Sequence, residues 1–357
     1  MPIHVRQARL EELPPEHQIA ANQPTLVYAS MAFSRMLRHL LPNAEPVHLI
    51  AEDPGGGHPC GFLHLFIQDG PWGPIANSLP YVGSPGGPIV PGDDPQVRAA
   101  LMEGYRRLLG ERGCIAATLI ASPLDPDQDQ LKSLLQPDYI DSRRGLITPL
   151  PEAGEDDESA LMERFHGKSR NMVRKALLGG FRLDREESPE NWAFLERTHR
   201  DNMNALGAAC HPPAYFEALR LPLEPKLERR LLIACLDDQP VAGLLLYLFG
   251  KTVEYAIPVI DASHRGGQPL TFLIWHAMLE AIGEGYRLWN WGGTGWSQES
   301  LYRFKKRLGA VDHPYYYFTH LFDRSLLTRD RGELMRNYPY FFAYPFHAIL
   351  REPLEGL

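Results

Sequence analysis

The feature that most constrains the fold is the stretch from residue 231 to residue 322. It begins with three apolar runs joined by the short turns D-D-Q and G-K, which are typical of β-hairpins. Longer apolar and amphipathic segments then alternate with aromatic runs. We therefore predict strands over 231–236, 240–249 and 252–259, followed by helix 269–284, strand 287–291, helix 299–308 and strand 315–322. This order indicates an α+β domain.

The first half of the chain has a similar rhythm, although no sequence repeat is visible. We predict helices over 24–41, 94–112 and 127–135, and strands over 47–52, 60–68, 116–121 and 144–149. Glycine-rich turns lie near Gly83–Gly87 in this half and near Gly266–Gly267 in the other. This fits two copies of one α+β unit packed side by side.

A chain of 357 residues is long enough for two cores. The acidic segment P-E-A-G-E-D-D-E-S is poor in apolar residues and is a suitable boundary. We predict an N-terminal domain over 1–150, a linker over 151–159, a C-terminal domain over 160–325 that opens with a basic helix at 159–178, and a tail over 326–357 that docks on the body.

Composition limits the functional classes. The formal net charge of -8 argues against a protein that mainly coats nucleic acid, but it leaves room for a local basic groove. The four cysteines are widely spaced and form no metal-binding pattern, so no metal is expected. The N-terminus has no signal-peptide core, and the apolar run 241–249 is too short to span a bilayer. We therefore expect a cytoplasmic protein without a membrane span.

Two glycine-rich segments can approach a ligand closely with their backbone N–H groups. In the first, residues 289–309 read W-N-W-G-G-T-G-W-S-Q-E-S-L-Y-R-F-K-K-R-L-G, an aromatic strand end followed by a basic helix. Such a turn suits an anionic or carbonyl-bearing ligand. In the second, H-R-G-G-Q-P at 264–269 leads from a strand into a helix, where N-terminal donors suit a pyrophosphate. The alternative for this second segment is a tight connection that binds nothing.

Taken together, these segments resemble the FemABX-like branch of the GNAT acyltransferase superfamily. The resemblance lies in W-N-W-G-G at 289–293, L-Y-R-F-K-K at 301–306 and Gly309, in the basic K-S-R-N-M-V-R-K-A at 168–176, and in the strand-turn-strand at 231–250. It covers residues 160–322, whereas the first half matches in its S-L-P-Y-V-G-S-P-G-G-P loop. It implies two GNAT-like domains, each a mixed sheet flanked by helices, and transfer of an acyl or aminoacyl group to an amine. Asn290 stands where the family usually has an acidic residue.

The resemblance also implies roles for individual residues. Lys305, in the Phe-Lys motif, would stabilise developing charge, with a solvated helix lysine as the alternative. Tyr302 would donate a proton to the leaving group, or else is simply buried. Glu254 would be the base, or a strand glutamate that faces solvent. Residues expected to hold the donor or the acceptor are Arg265, Gly266, Gly267 and Gln268 for the coenzyme A pyrophosphate, and Trp291, Trp296, Asn290, Asn77 and Tyr81 for the acceptor. Core packing is the alternative for the two tryptophans, and a stiff connecting loop is the alternative for Asn77 and Tyr81. The basic residues Arg170, Arg174 and Lys175 could bind a phosphate of a nucleotide-linked acceptor or of tRNA; the alternative is that they form a solvated helix face.

Three functional hypotheses follow. The first is an N-acyltransferase that uses acetyl-CoA or another acyl-CoA and an amine of a sugar, an amino acid or a lipid-linked cell-envelope precursor. The second is an aminoacyl-tRNA-dependent transferase that acts on a peptidoglycan precursor. The third is a non-catalytic GNAT-like binding module, which Asn290 and the imperfect pyrophosphate loop favour. The negative charge, and the lack of a long charged helical hairpin in the sequence, favour acyl-CoA over tRNA.

Overall fold

A computed structural model describes residues 2–13, 25–55, 57–81, 84–221 and 228–344. The predicted turn residue Gly83 and the tail beyond 344 lie outside these ranges. The strands are β1 (His4–Ala8), β2 (Ala44–Glu52), β3 (Pro59–Gln68), β4 (Ile75–Asn77), β5 (Ala116–Ile120), β6 (Tyr139–Pro149), β7 (Arg182–Asp184), β8 (Arg229–Leu236), β9 (Gln239–Phe249), β10 (Thr252–Ile260), β11 (Leu288–Thr294), β12 (Val311–Asp312) and β13 (Tyr315–Leu321). The helices are α1 (Met31–Leu40), α2 (Pro95–Glu111), α3 (Gln128–Leu135), α4 (Asp157–Arg164), α5 (Gly167–Leu177), α6 (Pro189–Ala205), α7 (Pro213–Arg220), α8 (Pro269–Gly283), α9 (Glu299–Arg307) and α10 (Arg331–Asn337).

The chain forms two compact units. Unit 1 comprises Met1–Ala21, Tyr28–Arg143 and Pro314–Leu357, and unit 2 comprises Asn22–Val27 and Arg144–His313. This division differs from the predicted boundaries at both ends of the second domain. Strand β6 gives its first residues to unit 1 and its last to unit 2, so the boundary falls inside a strand rather than at 150. Strand β13 belongs to unit 1 because it pairs with β5 and with the start of β6.

Unit 1 is a mixed sheet with helices packed on it. Its strand order is β1-β2-β3-β4-β5-β13-β6, and the pairs are antiparallel except for the parallel pair β4–β5. Helix α2 lies on this sheet and buries Leu101, Tyr105 and Leu108 in the unit's core. The apolar side chains that the sequence places at helical spacing in 94–112 are those that form this contact.

The C-terminal segment packs against unit 1 as far as residue 344. The Asn77 side chain donates to the carbonyl of Phe342 at 3.1 Å and accepts from its N–H at 2.7 Å. Tyr81, which has a positive φ of 79°, stacks on Tyr340 with ring centroids 4.7 Å apart. Asn77 and Tyr81, which were expected to contact the acceptor, therefore contact the C-terminal segment of the same chain.

Unit 2 is a second mixed sheet. Its strand order is β6-β11-β10-β9-β8-β7, with β12 beside β6, and β10–β11 is its parallel pair. Helix α8 is apolar on most of its surface because it is buried between this sheet and helices α4 and α5. Helix α6 contacts β9 and β10. None of the helices in the described ranges has the length and apolarity needed to cross a membrane.

The predicted basic helix over 159–178 is wrong in one respect, since the structure has two helices there. Helix α4 ends at Arg164, Phe165 is extended, and α5 begins at Gly167. The His166 ring accepts a hydrogen bond from the N–H of Lys168 at 3.2 Å and so caps α5. The His166 N–H donates to the carbonyl of Arg307 at 2.9 Å. This bond ties the start of α5 to the end of α9. The predicted linker over 151–159 overlaps the start of α4, which begins at Asp157.

Candidate active site

The parallel strands β10 and β11 run together for only three residue pairs, the last of which is Glu254↔Asn290. Beyond that pair, the pairing of β10 with β9 is irregular between Tyr255 and Ile257. The pairing of β11 with β6 shifts between Asn290 and Gly293, where Gly292 has a φ of +69°. The two strands therefore part, and backbone groups of β10 are available to an extended ligand that adds like a strand.

Glu254 and Asn290 meet at this point. The Asn290 Nδ2 donates to Glu254 Oε2 at 2.6 Å, and its Oδ1 accepts from the N–H of Gly292 at 3.1 Å. Both side chains are buried. An amide can donate and accept at once, whereas an aspartate here would place a second carboxylate against Glu254. Asn290 is therefore matched to its neighbour, and Glu254 does not face solvent.

Lys305 is a buried cation of unit 2, with 3% of its surface exposed. Its Nζ donates to the carbonyl oxygen of Trp291 and to the Oγ1 of Thr294, each at 2.8 Å. Burial lowers the pKa of Lys305 to about 8, and the attraction of Glu254 opposes this shift. The alternative of a solvated helix lysine does not apply. Thr294 was missed from the sequence, because the predicted strand ended at residue 291.

The two tryptophans beside the glycine turn have different environments. Trp291 is buried and its Nε1 donates to Thr148 Oγ1 at 2.8 Å. Trp296 is 56% exposed, and the guanidinium of Arg144 lies 4.5 Å from its ring centroid. Arg144 lies equally close to the ring of Tyr302. The Tyr302 hydroxyl donates to Asp312 at 3.4 Å, so this tyrosine joins a half-exposed charged cluster and its hydroxyl does not lie in the Glu254–Asn290 contact.

The segment that follows β10 is a 3-10 turn, Ala262–Gly267, that leads into α8. Gln268 has a φ of +68°, and its side chain bonds to the Arg265 carbonyl and accepts from Thr271. Arg265 and Gly266 are exposed, and a Cβ at Gly266 would meet nothing within 4 Å. The first N–H groups of a helix have no partners within it. The start of α8 thus offers donors beside an open backbone and a cation, as a diphosphate requires.

Sequence reasoning also missed Tyr247 and Tyr215. Tyr247 lies directly opposite Glu254 in the β9–β10 register, so Tyr247, Glu254 and Asn290 form one row across three strands. The Tyr247 hydroxyl hydrogen-bonds to that of Tyr215 on α7 at 2.7 Å. Burial raises the pKa of Tyr215 to about 12. The alternation of β9 and β10 carried the signal for Tyr247, since it places Tyr247 and Glu254 on the same face of the sheet; Tyr215 lies on a helix and had no such signal.

Comparison with known proteins agrees with this geometry. The family model described as an acetyltransferase (GNAT) domain matches residues 164–306. A crystal structure of FemX is similar at a TM-score of 0.71 and 14% identity, covering 91% of this chain and 99% of that one. The C-terminal domain of a putative lysylphosphatidylglycerol synthetase from Agrobacterium fabrum has a TM-score of 0.53 at 12% identity, with 89% and 94% covered. A tandem GNAT protein from the clavulanic acid biosynthesis pathway has a TM-score of 0.50 at 12% identity, covering 90% of this chain and 99% of that one. No curated protein matches.

Residues 164–306 therefore match the GNAT acetyltransferase domain model, and the chain has the fold of FemX and of the tandem GNAT protein. The predicted fold of two GNAT-like domains and the predicted likeness to the FemABX-like branch are confirmed. Among the described residues, no group of three or more His, Cys, Asp or Glu side chains is arranged to hold a metal ion.

Proposed function

We propose that the protein is an N-acyltransferase that moves an acyl group from acyl-CoA to the amine of a sugar, an amino acid or a cell-envelope precursor. The observation that carries this proposal is the parting of β10 and β11 beside the buried group Glu254, Asn290 and Lys305. The open edge of β10 suits the amide-bearing arm of the donor. The turn 262–267 and the start of α8 suit its diphosphate.

Each part of the reaction has a candidate group. The amine nitrogen attacks the thioester carbonyl, the new C–N bond forms, and the C–S bond breaks. The amine loses a proton to Glu254, directly or through water, and the departing thiolate takes up a proton from water. Lys305 has three N–H donors and uses two on Trp291 and Thr294, so the third can be offered to the carbonyl oxygen as it becomes negative.

The assay is release of the free thiol of CoA from acetyl-CoA in the presence of a panel of amino sugars, amino acids and amine-bearing lipids. We expect release that depends on one class of amine. Lys305→Met should lower kcat by about 10²–10³, the usual effect of losing an oxyanion donor, with little change in KM. Lys132→Met, at an exposed position of α3, is the matched control. Full turnover in Lys305→Met would remove this lysine from the chemistry.

The likeness to FemX favours a second candidate, a transferase that takes its acyl group from aminoacyl-tRNA. Calorimetric titration with CoA and, separately, with aminoacyl-tRNA distinguishes the donors. Micromolar binding of CoA supports the acyl-CoA proposal, and binding of charged tRNA alone supports the second candidate. If neither binds, the non-catalytic binding module is the function that fits the fold.

A further inference from the structure

A basic cavity lies where the start of α5 meets the end of α9. It is open to solvent, has a volume of about 420 Å³ and is lined by His166, Lys168, Arg303, Lys306 and Arg307. All five side chains carry, or can carry, positive charge. This cluster of positive charge is notable because the chain as a whole has a formal net charge of -8. The cavity is distinct from the Glu254–Asn290–Lys305 group.

The fold holds the two walls of this cavity together. The bond from the His166 N–H to the Arg307 carbonyl joins the two helix ends, and the His166 ring caps α5. A Cβ built at Gly167 would meet only the Arg170 guanidinium, 3.9 Å away, within 4 Å. The backbone of α5 at Gly167 therefore has open space beside it. The predicted phosphate-binding residues Arg174 and Lys175 do not line the cavity, whereas Lys168 of the same helix does.

The charges in the cavity are only partly balanced. Glu299 pairs with Arg303 at 3.0 Å, and Asp312 pairs with Lys306 at 2.8 Å. Within the described ranges, neither Lys168 nor Arg307 forms a salt bridge. Two cations are therefore left without a carboxylate at the same concavity.

Helix electrostatics explain one wall of the cavity but not the other. Lys306 and Arg307 lie at the C-terminal end of α9, where the helix dipole favours positive charge. Lys168 lies in the first turn of α5, where the dipole disfavours it, and that turn has no acidic residue. A lysine at this exposed position lowers stability slightly, and a bound anion would offset that cost. An anion between the helix ends would be bound by Lys168 and Arg307 and by the N-terminal dipole of α5.

We propose that this cavity binds the phosphate groups of a small phosphorylated ligand, of the diphosphate or nucleotide monophosphate class. A concave site with an arginine fork and a helix N-terminus suits a compact, highly charged group. An extended nucleic acid would need a broader basic surface, which the negative net charge opposes. The proposal does not depend on acyl transfer, because it concerns binding alone.

The test measures binding of inorganic pyrophosphate, CoA and UDP by calorimetry at low salt, in the wild-type chain and in Lys168→Glu and Arg307→Glu. Lys132→Glu is the matched control, since it changes the same charge at an exposed position of α3 outside the cavity. Thermal unfolding of each variant shows whether it is folded. We expect each cavity variant to weaken pyrophosphate binding by about tenfold or more, equivalent to about 1.4 kcal/mol, and the control to bind as the wild type does.

The other two probes identify the source of the phosphate. Weaker CoA binding in the cavity variants assigns the cavity to the donor, and weaker UDP binding alone assigns it to a nucleotide-linked acceptor. Unchanged pyrophosphate binding in folded Lys168→Glu and Arg307→Glu overturns the proposal. A single-stranded RNA that binds more tightly than pyrophosphate, with a steep salt dependence, and is lost in the same variants overturns the assignment to a small ligand. Absence of turnover with acyl-CoA would leave this result unaffected.

Discussion

Replacing Lys305 by methionine should change how the stability of the protein depends on pH. Methionine has a similar length and no charge, so it fills the same buried space without an ionisable group. Burial lowers the pKa of Lys305 from 10.5 to about 8. The folded protein therefore binds this proton more weakly than the unfolded chain does. Protonation favours unfolding, and the stability associated with this group is lost as the pH falls from about 10.5 to about 8.

The size of the effect follows from these two pKa values. Between about pH 8 and about pH 10, the linkage relation gives the wild type a gain of about 2 kcal/mol in the free energy of unfolding from Lys305. Lys305→Met should lack this gain. The variant also loses the hydrogen bonds to Trp291 and Thr294. This loss lowers the free energy of unfolding by an amount that is nearly the same at every pH, so it does not alter the dependence of stability on pH.

The assay is urea unfolding of both chains at several pH values in this range, under reducing conditions because the described cysteines are free thiols. Other groups titrate here too, but they are common to both chains and cancel in the difference. We expect the stability difference between wild type and variant to shift by about 2 kcal/mol in favour of the wild type as the pH rises. A difference that is flat with pH would show that Lys305 is not desolvated, and it would refute the account of the site given above.

Three other predictions concern the surroundings of Lys305. Asn290→Asp should place a second carboxylate against Glu254, so that the pair holds one proton with a raised pKa in the folded state; urea unfolding should show a loss of about 1–3 kcal/mol at neutral pH and less in mild acid. Gly292→Ala should cost about 1 kcal/mol because of its positive φ, whereas Gly266→Ala, which has open space and an ordinary φ, should be nearly neutral in thermal unfolding. Tyr215→Phe should cost about 1 kcal/mol by losing its buried hydroxyl bond, and an unchanged melting curve would contradict this.

The elements of unit 2 were largely predictable, because its hairpins and its apolar helix have strong local signals. Strands β8 to β10 and helix α8 lie within one or two residues of their predicted limits. The break at Phe165 and His166 was not predictable in the same way. It depends on a histidine acting as a helix cap and on a bond to Arg307, which is distant in sequence. Side chains outside the usual set of caps give no local signal.

The sequence singled out several residues of the candidate site, but it did not predict how they are arranged. The Phe-Lys motif singled out Lys305, but its burial depends on strand β11 continuing past two glycines to Thr294. A glycine pair usually marks a turn, so the sequence indicated an early end to the strand. Asn77 and Tyr81 were expected at a substrate. The structure instead uses their polar groups for a segment more than 250 residues away, a pairing that no local pattern records.

Helix α9 divides its basic residues between two environments. Lys305 points into the core of unit 2, where burial weakens its hold on a proton. Arg303, Lys306 and Arg307 line the basic cavity. A helix of this length is rigid, so a ligand bound by its cavity face would also fix the position of Lys305 relative to Trp291 and Thr294. For this reason phosphate binding at the cavity and proton binding at Lys305 should be coupled, and pyrophosphate should alter the pH dependence of stability more in the wild type than in Lys305→Met.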